Sequence, residues 1–353
     1  MEFELWWLLG FPLFFALGWM AARVDIKQLL SESRALPLSY FKGLNFLLNE
    51  QTDKAIEAFI EVVKVDPQTI ELHFALGSLF RRRGEVERAI RMHENLLGRA
   101  DLAPEQKLVA LYELAQDYLK AGLLDRAEEM FGRLQGTQYE QQGLKFLLEI
   151  YEQEKDWYKA IETSRKMDAV TGQSSAKDIA NFYCELAAGE MSNSRWDAAR
   201  DFLREALVVN RRCTRANILY GDIELAQGRT EAGIEAWKRI ENQSPAYLAL
   251  VAEKLLAAYR TLNKPAEGLQ LLRSYLESHP SLDLLNVIFQ GELEISGPEA
   301  AYRLVRDELA RNPTLLGLDK LLEAQLLDVP AERRNDLQLI KNLVHQHTRS
   351  LAL

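Results

Sequence analysis

The sequence predicts an all-α protein: a right-handed superhelical solenoid of stacked helix pairs, preceded by one transmembrane helix. Two observations predict the solenoid. Small and large residues recur about 34 residues apart, the period of a helix–turn–helix repeat, and no segment of strand length alternates between apolar and polar residues. An uncharged apolar run near the N-terminus predicts the membrane helix. Because a solenoid grows along one axis, 353 residues do not require several globular domains.

The repeat is clearest between Leu36 and Asp101, where the same unit occurs twice. The first copy is marked by two small residues, two aromatic residues and a closing proline: Gly43, Phe46, Ala55, Phe59 and Pro67. In the second copy, Gly77, Phe80 and Ala89 each follow their counterpart by 34 residues. Small residues let two antiparallel helices approach, and the aromatic rings fill the space beside them. This pattern resembles the tetratricopeptide repeat, which implies a scaffold for protein–protein interaction.

The same period continues with weaker signatures, so that we predict about eight repeats over residues 37–313. The further packing positions in these repeats are Ala127, Phe131, Ala160 and Gly221. Short turns rich in Gly, Asn and Asp separate the helices of a pair, and prolines fall between units, where a missing N–H group does no harm. Residues 314–353 predict two more helices, divided near Val329 and Pro330.

Residues 1–22 predict an N-terminal transmembrane anchor. The run from Leu5 to Ala22 carries no charge and is just long enough to cross a bilayer core as a helix. Its tryptophans lie near the two ends of the run, where the indole rings of a membrane helix favour the interface with water: Trp6, Trp7 and Trp19. A cleaved signal peptide is the alternative, since Ala21 and Ala22 are small, but such a peptide begins with positive charge and this chain begins with Glu2 and Glu4.

Positive residues follow the anchor, which predicts that the body of the protein lies in the cytoplasm. These residues are Arg23, Lys27, Arg34 and Lys42. Residues 23–36 form a polar linker between the anchor and the repeats. A net charge of −9 argues against general nucleic-acid binding, which needs a basic surface. The two cysteines, Cys184 and Cys213, form no C-x-x-C pair, and we interpret both as small buried residues in a reducing compartment.

One face of the first helix in each repeat is predicted to line a groove that binds protein partners. The predicted groove residues mix aromatic, aliphatic and charged side chains: Tyr40, Leu44, Phe74, Ser78, Arg81, Arg82, Tyr112, Gln116, Lys120, Lys145 and Glu149. Such a mixture suits a peptide or protein better than a small metabolite. The densest basic patch is Arg81-Arg82-Arg83 with Arg88 and Arg91. It could hold an acidic segment or anionic lipid head groups, or it could be an ordinary solvated helix surface.

No catalytic motif occurs in the sequence. Phosphate-binding loops, dinucleotide fingerprints, H-E-x-x-H and G-x-S-x-G are all absent. His73 and His93 occupy repeat positions that normally pack, so we expect structural roles for them. His345 and His347 are two residues apart, which places them on different sides of a helix, unsuited to one metal ion. We predict no enzyme activity, no cofactor and no metal site in this chain.

The order of the parts resembles the lipopolysaccharide assembly protein B family. The resemblance rests on a short N-terminus with one anchor, then the segments Asn45–Pro67, Leu76–Leu97, Tyr118–Phe131 and Phe182–Ala187, and it runs along nearly the whole chain. It implies a protein of the Gram-negative inner membrane with its repeats on the cytoplasmic side. It also implies an adaptor that promotes degradation of the committed-step deacetylase LpxC by the protease FtsH, and that docks lipopolysaccharide-synthesis enzymes near export proteins. A lipopolysaccharide-sensing membrane protein is the implied antagonist.

One departure concerns metal. The family usually ends in a rubredoxin-like tail with two C-x-x-C pairs that would bind iron or zinc, and this sequence stops at Leu353, about where that tail is expected. Two other functions stay open: an exported tetratricopeptide assembly factor for envelope components, and an enzyme whose site forms between repeats. The sequence is also compatible with self-association through the anchor or the terminal repeats.

Overall fold

The structure is a computed structural model that describes residues 15–16, 18–19, 38–65, 69–327 and 331–351. Within these residues all regular structure is helical, and no strand occurs. The chain divides into two compact units, residues 1–150 and residues 151–353, and the boundary falls within one helix. The tetratricopeptide-type helix pairs predicted from the sequence are present in both units.

The first unit consists of helix pairs that pack as antiparallel hairpins. Its helices are α1 (Leu38–Leu48), α2 (Thr52–Val65), α3 (Ile70–Arg83), α4 (Val86–Leu97), α5 (Pro104–Lys120), α6 (Leu124–Gly132) and α7 (Glu140–Glu154), which runs into the second unit. The first helices α1, α3 and α5 pack on their own second helices, α2, α4 and α6, and α3 also contacts α5, the first helix of the next pair. A shared core therefore forms between neighbouring hairpins, as a solenoid requires.

The second unit continues the same arrangement. Its helices are α8 (Trp157–Thr171), α9 (Ala176–Ser192), α10 (Trp196–Val209), α11 (Thr214–Ala226), α12 (Thr230–Lys238), α13 (Ile240–Gln243), α14 (Leu248–Thr261), α15 (Pro265–Ser278), α16 (Leu282–Ile295), α17 (Pro298–Arg311), α18 (Leu315–Leu327) and α19 (Ala331–Leu351). First helices again contact first helices, as α9 does α11 and α14 does α16. A continuous cluster of buried apolar residues runs from Ile234 to Ala324.

Small residues allow the two helices of a hairpin to approach where large side chains cross. A Cβ atom placed on Gly43 would overlap the ring of Phe59, and one placed on Gly221 would overlap the indole of Trp237. That indole is fully buried, and its Nε1 donates to the carbonyl of Ile218 at 3.1 Å. The other predicted packing positions are buried as well, except Phe46, which is half-buried against the same core: Ala55, Gly77, Phe80, Ala89, Ala127, Phe131 and Ala160.

The turns inside the hairpins share one backbone conformation. Seven turns each contain a residue at positive φ, and the next residue donates to a carbonyl five positions earlier, as from Glu85 to Phe80 at 2.9 Å. The residues at positive φ are Glu50, Gly84, Gly122, Lys155, Ser194, Gly228 and Asn263. Glycine or asparagine occupies four of the seven positions, where the left-handed conformation costs least.

Several predictions fall outside the described residues. The anchor is one of them, apart from Phe15, Ala16, Gly18 and Trp19, which are helical. The linker over residues 23–36, Pro67 and the break at Val329 and Pro330 are the others. Among the helices described, none combines the length and the apolarity that crossing a bilayer requires.

Candidate protein-binding surface

The predicted groove residues all lie in the first unit, on the first helices of repeats one to four. Helices α1, α3, α5 and the start of α7 carry them, and we call their outward faces together the first-helix surface. The Tyr40 side chain is not among those that the structure describes. The remaining residues differ in exposure: Leu44, Arg82, Lys120, Lys145 and Glu149 are exposed, whereas Phe74, Ser78, Arg81, Tyr112 and Gln116 are half-buried.

The α1 portion of this surface is apolar. Leu44 and Leu47 are both exposed, and Leu48 is 83% exposed. These residues lie on neighbouring faces of one short helix because positions three and four apart are adjacent on a helix surface. An aliphatic surface of this kind loses water favourably when another apolar surface covers it.

Arg81 belongs to the packing between repeats and is not available to a partner as a free cation. Its Nη2 lies 2.6 Å from Glu113 Oε2, and its Nη1 lies 2.7 Å from Asp117 Oδ1. Ser78 also donates to Glu113, at 3.1 Å. Burial opposes the charge of Arg81, but the hydrogen bonds that it donates to Asp117 and Glu113 raise its pKa above the ordinary value. These contacts tie α3 to α5.

Asp117 also accepts a bond from a buried histidine. His93 Nδ1 lies 2.5 Å from Asp117 Oδ2, and neither side chain has any exposed surface. Within the described residues, His93 Nε2 has no hydrogen-bond partner, and the ring covers Gly77, where a Cβ atom would overlap it. His93 therefore fills the place of a large packing residue. The half-buried His73 is hydrogen-bonded within its own helix, with Nδ1 2.9 Å from the Thr69 carbonyl oxygen one turn earlier.

The predicted basic patch is largely neutralised by neighbouring carboxylates. Arg83 pairs with both Asp53 and Glu85, at 2.9 Å each. Arg88 also pairs with Glu85 and lies 4.0 Å over the ring of Phe80. Arg91 is 3.7 Å from Glu87. Of the two interpretations, the solvated helix surface fits these contacts, and Arg82 is the member for which the described residues provide no ion pair.

The two aromatic residues of the surface whose side chains the structure describes are partly engaged in packing. Phe74 stacks on His93 with ring centroids 6.1 Å apart and packs against the core between repeats two and three. Tyr112 stacks on Tyr139 at 4.9 Å, and burial raises its pKa above the ordinary value. Both rings are therefore half-buried and held by neighbouring rings, so the surface offers them as fixed apolar contacts.

Exposed charges complete the surface. Arg82, Lys120, Lys145 and Glu149 have no ion-pair partner among the described residues, so their charges remain available to a partner. Three of the four are basic. The apolar α1 portion and this mainly basic portion together suit an amphipathic polypeptide segment with acidic residues at one end.

Sequence reasoning missed Glu113 and Asp117, which decide the role of Arg81. The signal that could have found them is the repeat period itself. Opposite charges 30 to 36 residues apart lie on adjacent first helices, and the same relation recurs in the second unit. There, Glu185 pairs with Arg215 at 2.7 Å, Asp222 pairs with Lys254 at 2.7 Å, and Arg260 pairs with Glu294.

Possible metal ligands were sought among the side chains that the structure describes. Within those ranges no group of three or more His, Cys, Asp or Glu residues could hold a metal ion. Cys184 and Cys213 are buried free thiols surrounded mainly by apolar residues. The residues of this chain therefore do not fit the rubredoxin-like metal centre that the family tail would carry.

Comparison with known proteins agrees with the repeat architecture. The tetratricopeptide repeat family matches this chain at residues 72–108 and again at residues 184–247. A tetratricopeptide repeat protein from Parabacteroides merdae, known from its crystal structure, aligns with 81% of this chain and 97% of its own at 14% identity, with a TM-score of 0.36.

Two curated relatives match almost end to end. Lipopolysaccharide assembly protein B of Escherichia coli K12 is 34% identical over 342 residues, covering 96% of this chain and 88% of that protein. The protein of the same name from Haemophilus influenzae Rd is 30% identical over 358 residues, covering 97% and 89%. On this similarity along nearly its whole length, the chain belongs to the lipopolysaccharide assembly protein B family.

Proposed function

We propose that this chain is a non-catalytic, membrane-tethered adaptor that regulates lipopolysaccharide synthesis. In this proposal it promotes proteolysis of the deacetylase LpxC by FtsH and brings lipopolysaccharide-synthesis enzymes together. The observation that carries the proposal is the 34% identity, over 96% of this chain, to a protein named lipopolysaccharide assembly protein B. The helix pairs supply the interaction surface that such an adaptor needs.

The make-up of the first-helix surface supports binding over catalysis. Its polar side chains are either locked in contacts between repeats, as Arg81 is, or exposed and separate, as Arg82 and Lys120 are. General acid–base chemistry needs convergent groups held within hydrogen-bond reach of a substrate. An apolar stretch beside dispersed charges instead supplies area and orientation for another polypeptide.

Membrane tethering is part of the proposal. An anchor over residues 1–22 would hold the repeats at the inner leaflet, where both the protease and the export proteins are found in the family. Confinement to one membrane raises the effective concentration of the partners, which strengthens contacts that are weak in solution. A lipopolysaccharide-sensing membrane protein that covers the same surface would act as the antagonist.

The test is co-purification of LpxC and FtsH with the full-length protein from detergent-solubilised inner membranes. We expect both to be recovered with the unmodified chain. The double variant Arg82→Glu/Lys120→Glu reverses two exposed charges of the surface, and recovery of LpxC should then fall about tenfold, the equivalent of about 1.4 kcal/mol. The half-life of LpxC in cells that rely on this variant should lengthen in parallel.

Arg91→Glu is the matched control. The substitution reverses a charge of the same sign at an exposed position. Arg91 lies on α4, which is a second helix, and so is outside the first-helix surface. It should leave recovery unchanged. Capture of neither protein by the unmodified chain would contradict the proposal, and equal loss with Arg91→Glu would contradict the assignment of the surface. A phosphatase fusion at Leu353 that is active would place the repeats outside the cytoplasm and favour the exported assembly factor.

A further inference from the structure

The only two cysteines of the chain contact each other inside the second unit. Cys184 lies on α9, the first helix of repeat five (α9 and α10), and Cys213 immediately precedes α11, the first helix of repeat six (α11 and α12). Their Sγ atoms are 3.8 Å apart, and both side chains are buried. The surrounding core is built of small apolar residues such as Ala180, Ala187 and Ala216. Two sulfurs at this distance need a movement of about 2 Å to reach bonding distance.

The two thiols are not equivalent. Cys213 is the N-cap residue of α11, so its sulfur lies at the positive end of a helix, where a thiolate is stabilised. The hydrogen bond from Cys184 and the nearby amides of Ala216 and Arg215 lower the pKa of Cys213. The same hydrogen bond and burial raise the pKa of Cys184. One sulfur is therefore suited to attack an oxidant and the other to resolve the product.

We propose that Cys184 and Cys213 form an oxidation site at which hydrogen peroxide joins repeats five and six by a disulfide. The Cys213 thiolate attacks one peroxide oxygen, the O–O bond breaks, and the leaving hydroxide takes a proton to become water. Cys213 is then a sulfenic acid. The Cys184 sulfur attacks the Cys213 sulfur, loses its proton, and displaces a second water. The two thiols lose two electrons, and one peroxide is reduced to two waters.

Burial determines the class of oxidant. Cys184 has no exposed surface and Cys213 is 6% exposed. Exchange with a glutathione disulfide needs three sulfur atoms in line at the attacked bond, for which the packed alanines leave no room. Hydrogen peroxide, which has only two non-hydrogen atoms, needs far less space. The expected reactant is therefore a small peroxide, and reaction with oxidised glutathione should be slow in the folded chain.

A disulfide at this position would fix neighbouring repeats. It would link α9 directly to the start of α11 and close a loop between residues 29 positions apart in sequence. Cross-linking stabilises a fold chiefly by restricting the unfolded chain. Oxidation should therefore raise the unfolding temperature of the second unit and leave that of the first unit unchanged.

The experiment exposes the reduced, folded full-length chain to hydrogen peroxide and maps it by mass spectrometry without reduction. We expect a linked peptide pair carrying Cys184 and Cys213, lighter by two hydrogens and restored by dithiothreitol. The unfolding temperature of the second unit should rise by about 5 °C. If both thiols stay reduced in the folded protein, or link only after denaturation, the proposal is wrong.

Two serine variants test the assigned roles. In Cys184→Ser the resolving thiol is absent, so Cys213 should accumulate as sulfenic acid, which dimedone added during denaturation labels. In Cys213→Ser the remaining thiol should react at least about tenfold more slowly. Equal reactivity of the two variants would overturn the assignment. The disulfide in the unmodified chain is an independent measurement, so that a variant that fails to fold does not remove the test.

Discussion

At the scale of single residues, Asp117 determines which cations of the first-helix surface are available to a partner. It has no exposed surface and accepts bonds from both Arg81 and His93. Arg81 and Arg82 are neighbours in sequence, yet one joins two repeats and the other faces water. Reversing both together, as the sequence alone would suggest, would mix a stability effect with a binding effect.

Replacing Arg81 by alanine should destabilise the first unit by about 3 kcal/mol, because it leaves the buried Asp117 carboxylate without its guanidinium partner. Hydrogen exchange of peptides from α3 to α5 measures this loss locally. Arg82→Ala is the control, and an exposed residue of this kind should change the free energy of unfolding by less than about 0.5 kcal/mol. Equal exchange in the two variants would show that the contact between α3 and α5 is unimportant.

In the second unit, Glu224 makes the free energy of unfolding depend on pH. The carboxylate is buried, with Arg229 Nε at 2.5 Å and Arg200 Nε at 2.9 Å. The hydrogen bond from Arg229 is the largest cause of its lowered pKa, and Arg200 adds to it. Because the folded pKa lies below the unfolded one, the stabilisation is present above the ordinary glutamate pKa and is lost as pH falls through the folded value.

We therefore expect the second unit to lose stability as the pH falls below about 4. Glu224→Gln should be less stable at neutral pH and should show a shallower decline in acid. Urea unfolding followed by tryptophan fluorescence, to which Trp157, Trp196 and Trp237 of the second unit contribute, measures both quantities. Glu231→Gln is the control, because Glu231 is exposed on α12 and has no ion-pair partner among the described residues. A decline equally steep in all three proteins would contradict the assignment.

At the scale of elements, the hairpin turn is the feature that recurs most regularly. Seven turns place a residue at positive φ, but only four use glycine or asparagine there. Those four glycine and asparagine turns were visible in the sequence. The turns at Glu50, Lys155 and Ser194 were not, because the packing of the two helices imposes the conformation on residues that do not prefer it.

Introducing glycine at one of these turns and removing it from another should change the stability in opposite directions. Lys155→Gly removes the steric strain of a side chain in the left-handed conformation, although glycine also gives the unfolded chain more conformational entropy. The net effect should stabilise the second unit by about 0.5 kcal/mol. Gly122→Ala introduces the same strain in the first unit, where nothing lies within 4 Å of the added Cβ atom, so any loss reports the backbone alone. Thermal unfolding shows whether each variant is stabilised or destabilised. Stabilisation by both, or by neither, would contradict the argument.

The elements also show why some of the site escaped prediction. Periodic small and large residues identified the helix pairs because Gly43 and Phe59, or Gly221 and Trp237, meet within one hairpin. Contacts between hairpins depend also on how far one hairpin is rotated from the next, so the repeat period narrows the candidate pairs by their spacing in sequence but does not select the pair that forms. The pairs of Arg81 with Glu113 and of Cys184 with Cys213 are of that second kind.

At the scale of the whole molecule, the proposed function depends on where the repeats are held as much as on what they bind. The apolar run over residues 1–22 carries no charge beyond Glu2 and Glu4, and basic residues follow it. If its role is only to tether, its sequence should not matter as long as it spans the membrane. If it also recognises a partner within the membrane, its sequence should matter.

Deleting residues 1–22 should release the protein from the membrane fraction and lengthen the half-life of LpxC, because the partners are no longer concentrated at one surface. Replacing the segment with an unrelated single-span helix of the same orientation should restore both membrane association and LpxC degradation. The first-helix surface variant Arg82→Glu/Lys120→Glu, carried on the unrelated helix, should remain inactive. Restored association without restored degradation would show that the segment contacts a partner directly, and the tether alone would then not explain the function.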